Sequence, residues 1–179
     1  ACFAVQVLAP EHNWSASGHS KTMHKPLRVI ESALADGSPA LALSGSPSDC
    51  VAVALLGLLP RRPDLVISGI NQGANVGHDL TYSGTVSAAM EAVIGGVSAI
   101  ALSLDSFEWR VFDDAAALAC GLAQQITSHR PPRPLLLNVN VPALPLAEIK
   151  GMRVTRQGTR IYRDALVQRH APRGSAYYW

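Results

Sequence analysis

The chain has 179 residues, 48% of them apolar and 16% charged, which corresponds to about one domain at ~150 residues each, with enough apolar material to line a core. That excludes disorder over most of the length, and apolar runs such as Val51 to Leu59 fall far short of the ~20 residues that cross a bilayer. Fifteen basic against thirteen acidic residues leave a formal charge of +2, too little for general attraction to nucleic acid.

The first residues, Ala1 to Leu8, read as a strand without a start methionine, a basic leader or a small-residue cleavage site. A further segment is therefore expected ahead of Ala1. Val5 to Leu8, Leu41 to Leu43, Leu65 to Ser68, Ala99 to Leu104 and Leu135 to Val139 are short, rich in Val, Leu and Ile, and bounded by Gly, Pro, Asn or Asp. They predict buried parallel strands. The intervening segments predict helices: Val51 to Leu59 behind Ser48-Asp49, and Val86 to Ile94 behind Ser83-Gly84-Thr85. In the next, Ala115, Leu118, Ala119, Leu122 and Ile126 share one helical face, and Asp113-Asp114 sits where the dipole favours negative charge.

Strand and helix in alternation predict an α/β fold, a Rossmann-like parallel sheet with helices on both faces. Ligands of such a sheet bind beyond the carboxyl ends of its strands. Residues 1–145 make up this domain. After Pro142 and Pro145 the pattern lapses, and 146–179 reads as an extended arm or hairpin ending abruptly on Tyr177-Tyr178-Trp179. Cys2, Cys50 and Cys120 lie scattered among apolar residues and suit reduced thiols in a core, hence a reducing cytoplasm. Arg153, Arg156, Arg160, Arg163, Arg169 and Arg173 form a late basic group, read as a solvated arm or subunit contact in preference to a phosphate clamp.

Three segments carry candidate chemistry. Ser68 to Gly77 spaces Gly69, Gly73 and Gly77 four apart with Asn71 and Asn75 between them. Glycine lets backbone N–H groups converge on an anion, and asparagine offers a carbonyl oxygen to a metal or an amide to a phosphate, although a tight turn explains the same pattern. Ser83-Gly84-Thr85 opens a helix, either as an ordinary cap or as a phosphate seat. Ala9 to Ser20 leaves the first strand at the same sheet edge, carrying Ser15, His12 and His19, either as metal or phosphate contacts or as a plain polar loop. The chain contains no GxGxxG, GxSxG, HExxH or paired CxxC, and Ser20-Lys21-Thr22 lacks the glycine of a P-loop.

Taken in order, Ala9-Pro10 with Asn13 to Ser20, Gly45 to Cys50, Pro63 to Asn71, and Tyr82 to Val86 resemble the survival protein E (SurE) family of nucleotidases, with further likeness at Leu137 to Pro142, Thr155-Arg156-Gln157 and Tyr177 to Trp179. The resemblance implies hydrolysis of nucleoside 5'- and 3'-monophosphates, and of short polyphosphate, with one Mg²⁺ or Mn²⁺ per subunit. It implies that Ser15 and Asn71 hold the metal and that Asn75, Ser83, Gly84 and Thr85 hold the phosphate. It also implies an acidic Asn-Asp-Asp-Gly pair, expected upstream of Ala1, and a homodimer or homotetramer joined through the C-terminal arm. Asp113-Asp114 lacks those flanking residues and reads as structural. Without that acidic pair these residues alone are expected to bind metal weakly and to be impaired as an enzyme, which favours the alternative, a non-catalytic nucleotide- or phosphate-binding domain; a nucleic-acid module using the arginine-bearing tail ranks last.

Overall fold

The computed structural model describes residues 3–108, 111–159, 161–162 and 165–179. Cys2, Arg160, Arg163 and the first residue of the predicted opening strand lie outside them. Three strands, β4 (Leu65–Gln72), β5 (Ser98–Asp105) and β6 (Leu136–Pro142), form a parallel sheet in the order β4-β5-β6. Helices cover both faces, as the alternation of the sequence predicts.

The pleat of β5 sorts the core. Ile100, Leu102 and Leu104 pack on one face with Ala115, Ala119, Leu122 and Ile126 of α3 (Asp113–His129). Ala99 and Ala101 pack on the other with Val86, Ala88, Ala89 and Ala92 of α2 (Gly84–Ile94). Successive side chains point to opposite faces, so one strand serves both layers. The small residues on the α2 side bring that helix close to the sheet. Complete burial of a side chain such as Leu102 contributes about 1.5–3 kcal/mol.

The remaining strands depart from a single parallel sheet. β1 (Leu8–Pro10) runs parallel to β3 (Pro39–Leu43), but β2 (Val29–Ala33) pairs antiparallel with β3, giving a second three-stranded sheet in the order β1-β3-β2. The antiparallel return follows from a turn at Asp36-Gly37, where Gly37 has φ +83° and its N–H donates to the Leu34 carbonyl at 2.9 Å. Every residue of β2 is exposed, so no hydrophobic alternation marked it.

Local signals are displaced by a few residues. α1 (Pro47–Val53) begins earlier than Ser48-Asp49 suggests, because Ser46 is the cap: its Oγ accepts from the Asp49 N–H at 3.1 Å, while Asp49 Oδ2 accepts from the Ser46 N–H at 2.8 Å. α1 runs into a π-helical turn, Ala54–Leu58, containing Gly57 at φ +115°. The cysteines also divide: Cys50 is buried, but Cys120 is exposed on α3, against the expectation of a core thiol. The arm ends in an exposed antiparallel hairpin, β7 (Gln168–His170) with β8 (Ala176–Tyr178). Among the described residues no helix is long and apolar enough to cross a membrane.

Candidate functional site

One cavity of about 570 Å³ lies beyond the carboxyl ends of β1 and β4. Ser15, Asn71, Asn75, Ser83, Gly84 and Thr85 all line it. Its volume falls within the range of small-molecule sites. Five separate features bring these residues together.

The first is the segment after β1. Asn13 Oδ1 accepts both the N–H and the Oγ–H of Ser15, at 3.0 and 2.8 Å, an Asx turn that fixes the serine locally. The segment is fastened at longer range by Gly18 N–H to the Tyr82 carbonyl (2.9 Å) and Ser46 Oγ–H to the Ser20 carbonyl (2.8 Å). Asp49 accepts from the Thr22 N–H at 3.0 Å and from its hydroxyl at 2.7 Å. Burial pushes the Asp49 carboxyl up, but the bonds from Thr22 and Ser46 outweigh it and hold the group below its ordinary range.

A second fastening is ionic. Glu91, on α2 and buried, receives Lys21 Nζ at 2.6 Å and faces His19 Nε2 at 2.8 Å. Burial raises the pKa of this carboxyl, whereas Lys21 and His19 together bring it below the ordinary value. The helix that opens at Ser83 therefore also holds the segment that carries Ser15.

β4 supplies the third feature. Its register shifts between Ser68 and Asn71, a bulge that re-aims the end of the strand. Gly69 has φ +130° and a Cβ there would meet the Leu102 carbonyl oxygen at 2.3 Å, so glycine is required. Asn71 Nδ2 donates to the Gly73 carbonyl at 2.7 Å. This leaves Oδ1, an oxygen donor, as its atom without a hydrogen bond among the described residues.

Fourth, Asn75 is held on every side. Its N–H donates to Asn140 Oδ1 at 2.9 Å, its carbonyl accepts from Asn138 Nδ2 and Asn140 Nδ2 at 2.9 and 3.0 Å, and its own Nδ2 donates to Ser103 Oγ at 2.8 Å. These partners come from β5 and β6.

Fifth is the start of α2. Ser83 Oγ accepts from the Val86 N–H at 3.2 Å, and the Ser83 N–H donates to the Asp79 carbonyl at 3.1 Å. The N–H groups of Gly84 and Thr85 have no acceptor within the helix, and both residues line the cavity. Two amides without a helical acceptor at the positive end of a helix dipole, beside two hydroxyls, are donors of the type that binds anions.

The cavity lining also includes His12, one of the candidate histidines, and Trp14, Asp79 and Tyr82, to which residue type assigned no role. Asp79 follows the Gly/Asn loop on a 3-10 turn, Gly77–Thr81, and accepts from the Tyr162 hydroxyl of the arm at 2.5 Å. Gln157 Nε2 donates to the Gly77 carbonyl at 3.0 Å. Of the two candidate histidines, His12 lines the cavity and His19 is engaged with Glu91. Asp113 and Asp114 occupy the first turn of α3, a structural position.

The donors suit a hard cation in part. Ser15 Oγ and Asn71 Oδ1 are the oxygen types Mg²⁺ and Mn²⁺ accept, but both are neutral, and among the described residues no three His, Cys, Asp or Glu side chains cluster as a metal site. Asp79 is the carboxylate in the lining.

Residues 1–164 match the family model described as survival protein SurE. Among similar proteins, the "5'-nucleotidase SurE" of Herpetosiphon aurantiacus is 54% identical over 177 residues, with 98% of this chain and 69% of that protein covered. The protein of the same name from Chloroflexus aggregans is 51% identical, with 98% and 70% covered. The crystal structure of the SurE protein from Aquifex aeolicus superposes with a TM-score of 0.79 at 40% identity, covering 97% of this chain and 69% of that one.

Proposed function

The chain belongs to the survival protein SurE family, and from that premise we propose that it is a metal-dependent phosphomonoesterase releasing phosphate from nucleoside 5'- and 3'-monophosphates, and from short polyphosphate. Relatives about half identical to it carry the name 5'-nucleotidase. The observation that carries the reading is the gathering of Ser15, Asn71, Asn75, Ser83, Gly84 and Thr85 around one cavity.

In this reading the N–H groups of Gly84 and Thr85 and the Ser83 and Thr85 hydroxyls bind the phosphate. Four neutral donors and a helix end hold a dianion without carrying a cation that would repel the metal. Ser83 Oγ already accepts from Val86, so its hydrogen is free to be donated to a phosphate oxygen. Asn75, with its backbone clamped, keeps its place beside them and spends no binding energy on ordering.

Ser15 Oγ and Asn71 Oδ1 would hold Mg²⁺ or Mn²⁺. The substrate brings the anionic oxygens that these neutral donors lack, a usual way for Mg²⁺ to be held. When bound, the metal polarises the phosphoryl group and lowers the pKa of a water molecule. No side chain in the lining is assigned as a covalent nucleophile.

The test is phosphate release from nucleoside 5'- and 3'-monophosphates with Mg²⁺ or Mn²⁺, with Asn71→Ala and Ser83→Ala as variants. Release by the parent and loss of at least about tenfold in either variant support the reading. Binding of nucleotide without release with either metal supports instead a non-catalytic nucleotide-binding domain, which the neutral character of Ser15 and Asn71 favours. We further propose that the protein is a homodimer or homotetramer joined through 146–179, since the hairpin exposes Tyr178 and Trp179.

A further inference from the structure

The proposed anion seat occupies the polar part of the cavity and leaves the rest of its lining unexplained. A phosphate alone needs neither a cavity of about 570 Å³ nor aromatic walls. Aromatic faces carry negative charge density, which suits them poorly to a dianion. Two such residues nevertheless line this cavity, Trp14 and Tyr82.

Both sit next to the polar donors in sequence. Trp14 precedes Ser15, and Tyr82 precedes the helix cap Ser83. The Tyr82 backbone is fixed, and Trp14 lies on the segment tied to it. The Tyr82 N–H donates to the Asp79 carbonyl at 3.0 Å, and the Tyr82 carbonyl accepts from the Gly18 N–H at 2.9 Å, tying the segment of Trp14 to the turn of Tyr82. A Cβ on Gly84 would stand 3.4 Å from the Trp14 carbonyl oxygen, so the Trp14 backbone crosses directly over the helix start. Despite this anchoring Tyr82 is 62% exposed. A tyrosine with a rigid backbone and an uncovered ring beside an anion seat is placed to receive a flat group attached to that anion.

We infer that Trp14 and Tyr82 form an aromatic platform that receives the nucleobase of the nucleoside monophosphate whose phosphate sits at Ser83-Gly84-Thr85. The inference rests on the nucleotidase reading and adds how nucleotides are distinguished from other phosphate monoesters. Stacking uses the π face that every base shares, so the platform favours nucleotides over sugar phosphates while accepting purines and pyrimidines alike. Tyr82 and Trp14 each carry one polar atom, O–H and N–H, which can also bond to a base or ribose at the rim.

The experiment compares adenosine 5'-monophosphate with ribose 5-phosphate, which keeps the sugar and phosphate but lacks the base. Affinities are measured by titration calorimetry in EDTA, so that turnover does not intrude. The parent protein is expected to bind adenosine 5'-monophosphate more tightly than ribose 5-phosphate. In Tyr82→Ala and Trp14→Ala the ratio of the two affinities is expected to fall about 5- to 150-fold, the loss of one stacked ring. Tyr82→Phe, which keeps the ring, is expected to keep the ratio, and this separates loss of a platform from loss of fold. A ratio unchanged in both alanine variants, or no preference in the parent, overturns the platform while leaving the anion seat standing. A parent that binds neither compound overturns the platform, and one that in addition releases no phosphate from adenosine 5'-monophosphate with Mg²⁺ or Mn²⁺ overturns the nucleotidase reading with it.

Discussion

The side chain of Asn140 grips the backbone of Asn75 at both of its polar groups, its Oδ1 accepting the N–H at 2.9 Å and its Nδ2 donating to the carbonyl at 3.0 Å. A β6 residue thus imitates the ladder partner that the loop after β4 lacks. The consequence is that a cavity residue is positioned by a strand two places away in the sheet.

Asn140→Asp keeps the acceptor and removes the donor, and Asn140→Ala removes both. Because Asn75 is buried, each unmade bond carries a desolvation penalty of about 1–3 kcal/mol. In Asn140→Ala the Asn75 carbonyl keeps Asn138 and only its N–H is left unpaired, so the unfolding free energy is expected to fall by about 1–3 kcal/mol and phosphate binding to weaken; Asn140→Asp keeps the N–H acceptor but sets a negative charge against the Asn75 carbonyl, and is expected to weaken phosphate binding as well. Urea unfolding and calorimetric titration with inorganic phosphate check this; equal stability of parent and alanine variant refutes it.

Gly69→Ala tests the bulge. At φ +130° and with the Leu102 carbonyl oxygen 2.3 Å from the added carbon, β4 has to move away from β5. The expected loss is at least about 1–3 kcal/mol, with Asn71 displaced from the cavity. An unaltered Tm and unaltered activity together would show that the bulge is not needed.

The Glu91 contacts predict a pH dependence of known sign. The folded-state pKa lies below the ordinary 4.5, because Lys21 and His19 overcome the effect of burial. A depressed carboxyl pKa contributes stability that is complete above the unfolded value and is lost as pH falls through the folded one. Asp49 behaves alike from its ordinary 3.8. Glu91→Gln is expected to be less stable than the parent by about 1–3 kcal/mol at pH 7, with the gap closing as pH drops below 4.5. Denaturant midpoints between pH 3 and 7 measure it; a gap independent of pH contradicts the assignment.

The thiols are expected to separate by reactivity. Burial, with the Asp49 charge next in importance, pushes the Cys50 thiol up to about 12, while Cys120 is exposed. Brief treatment with an alkylating reagent at pH 8, followed by peptide mass mapping, is expected to label Cys120 and spare Cys50 until denaturant is added. Equal labelling of the two in the native protein argues against the buried position of α1.

The arm provides a further prediction. If 146–179 joins subunits, deletion of residues 165–179, which carry the exposed hairpin, reduces the assembly to a smaller species in sedimentation velocity at micromolar concentration. A full chain that already sediments as a monomer refutes the proposed association.

The alternation of apolar runs and helical faces was enough to place β4, β5, β6 and α3, because burial on a sheet face or helix stripe writes a period of two or 3.6 into the residues. The face of α3 from Ala115 to Ile126 is one such case, with four of its five residues buried. β2 left no such mark, since Val29 to Ala33 are all exposed and owe their strand to pairing with β3. Its one local signal is the Asp36-Gly37 turn that precedes β3.

For the site, the family resemblance carried by the ordered motifs pointed to Ser15, Asn71, Asn75 and Ser83 to Thr85, whereas residue type alone left a tight turn, an ordinary helix cap and a plain polar loop as open readings. Trp14, Asp79 and Tyr82 carried no signal, since an aromatic or acidic residue beside a turn looks the same whether it faces solvent or a cavity. That distinction depends on contacts between residues far apart in sequence, such as Gly18 with Tyr82 and Lys21 with Glu91. Local chemistry is encoded in neighbouring residues and can be read in one dimension; the joint surface that several segments present exists only once packing has closed the distances between them.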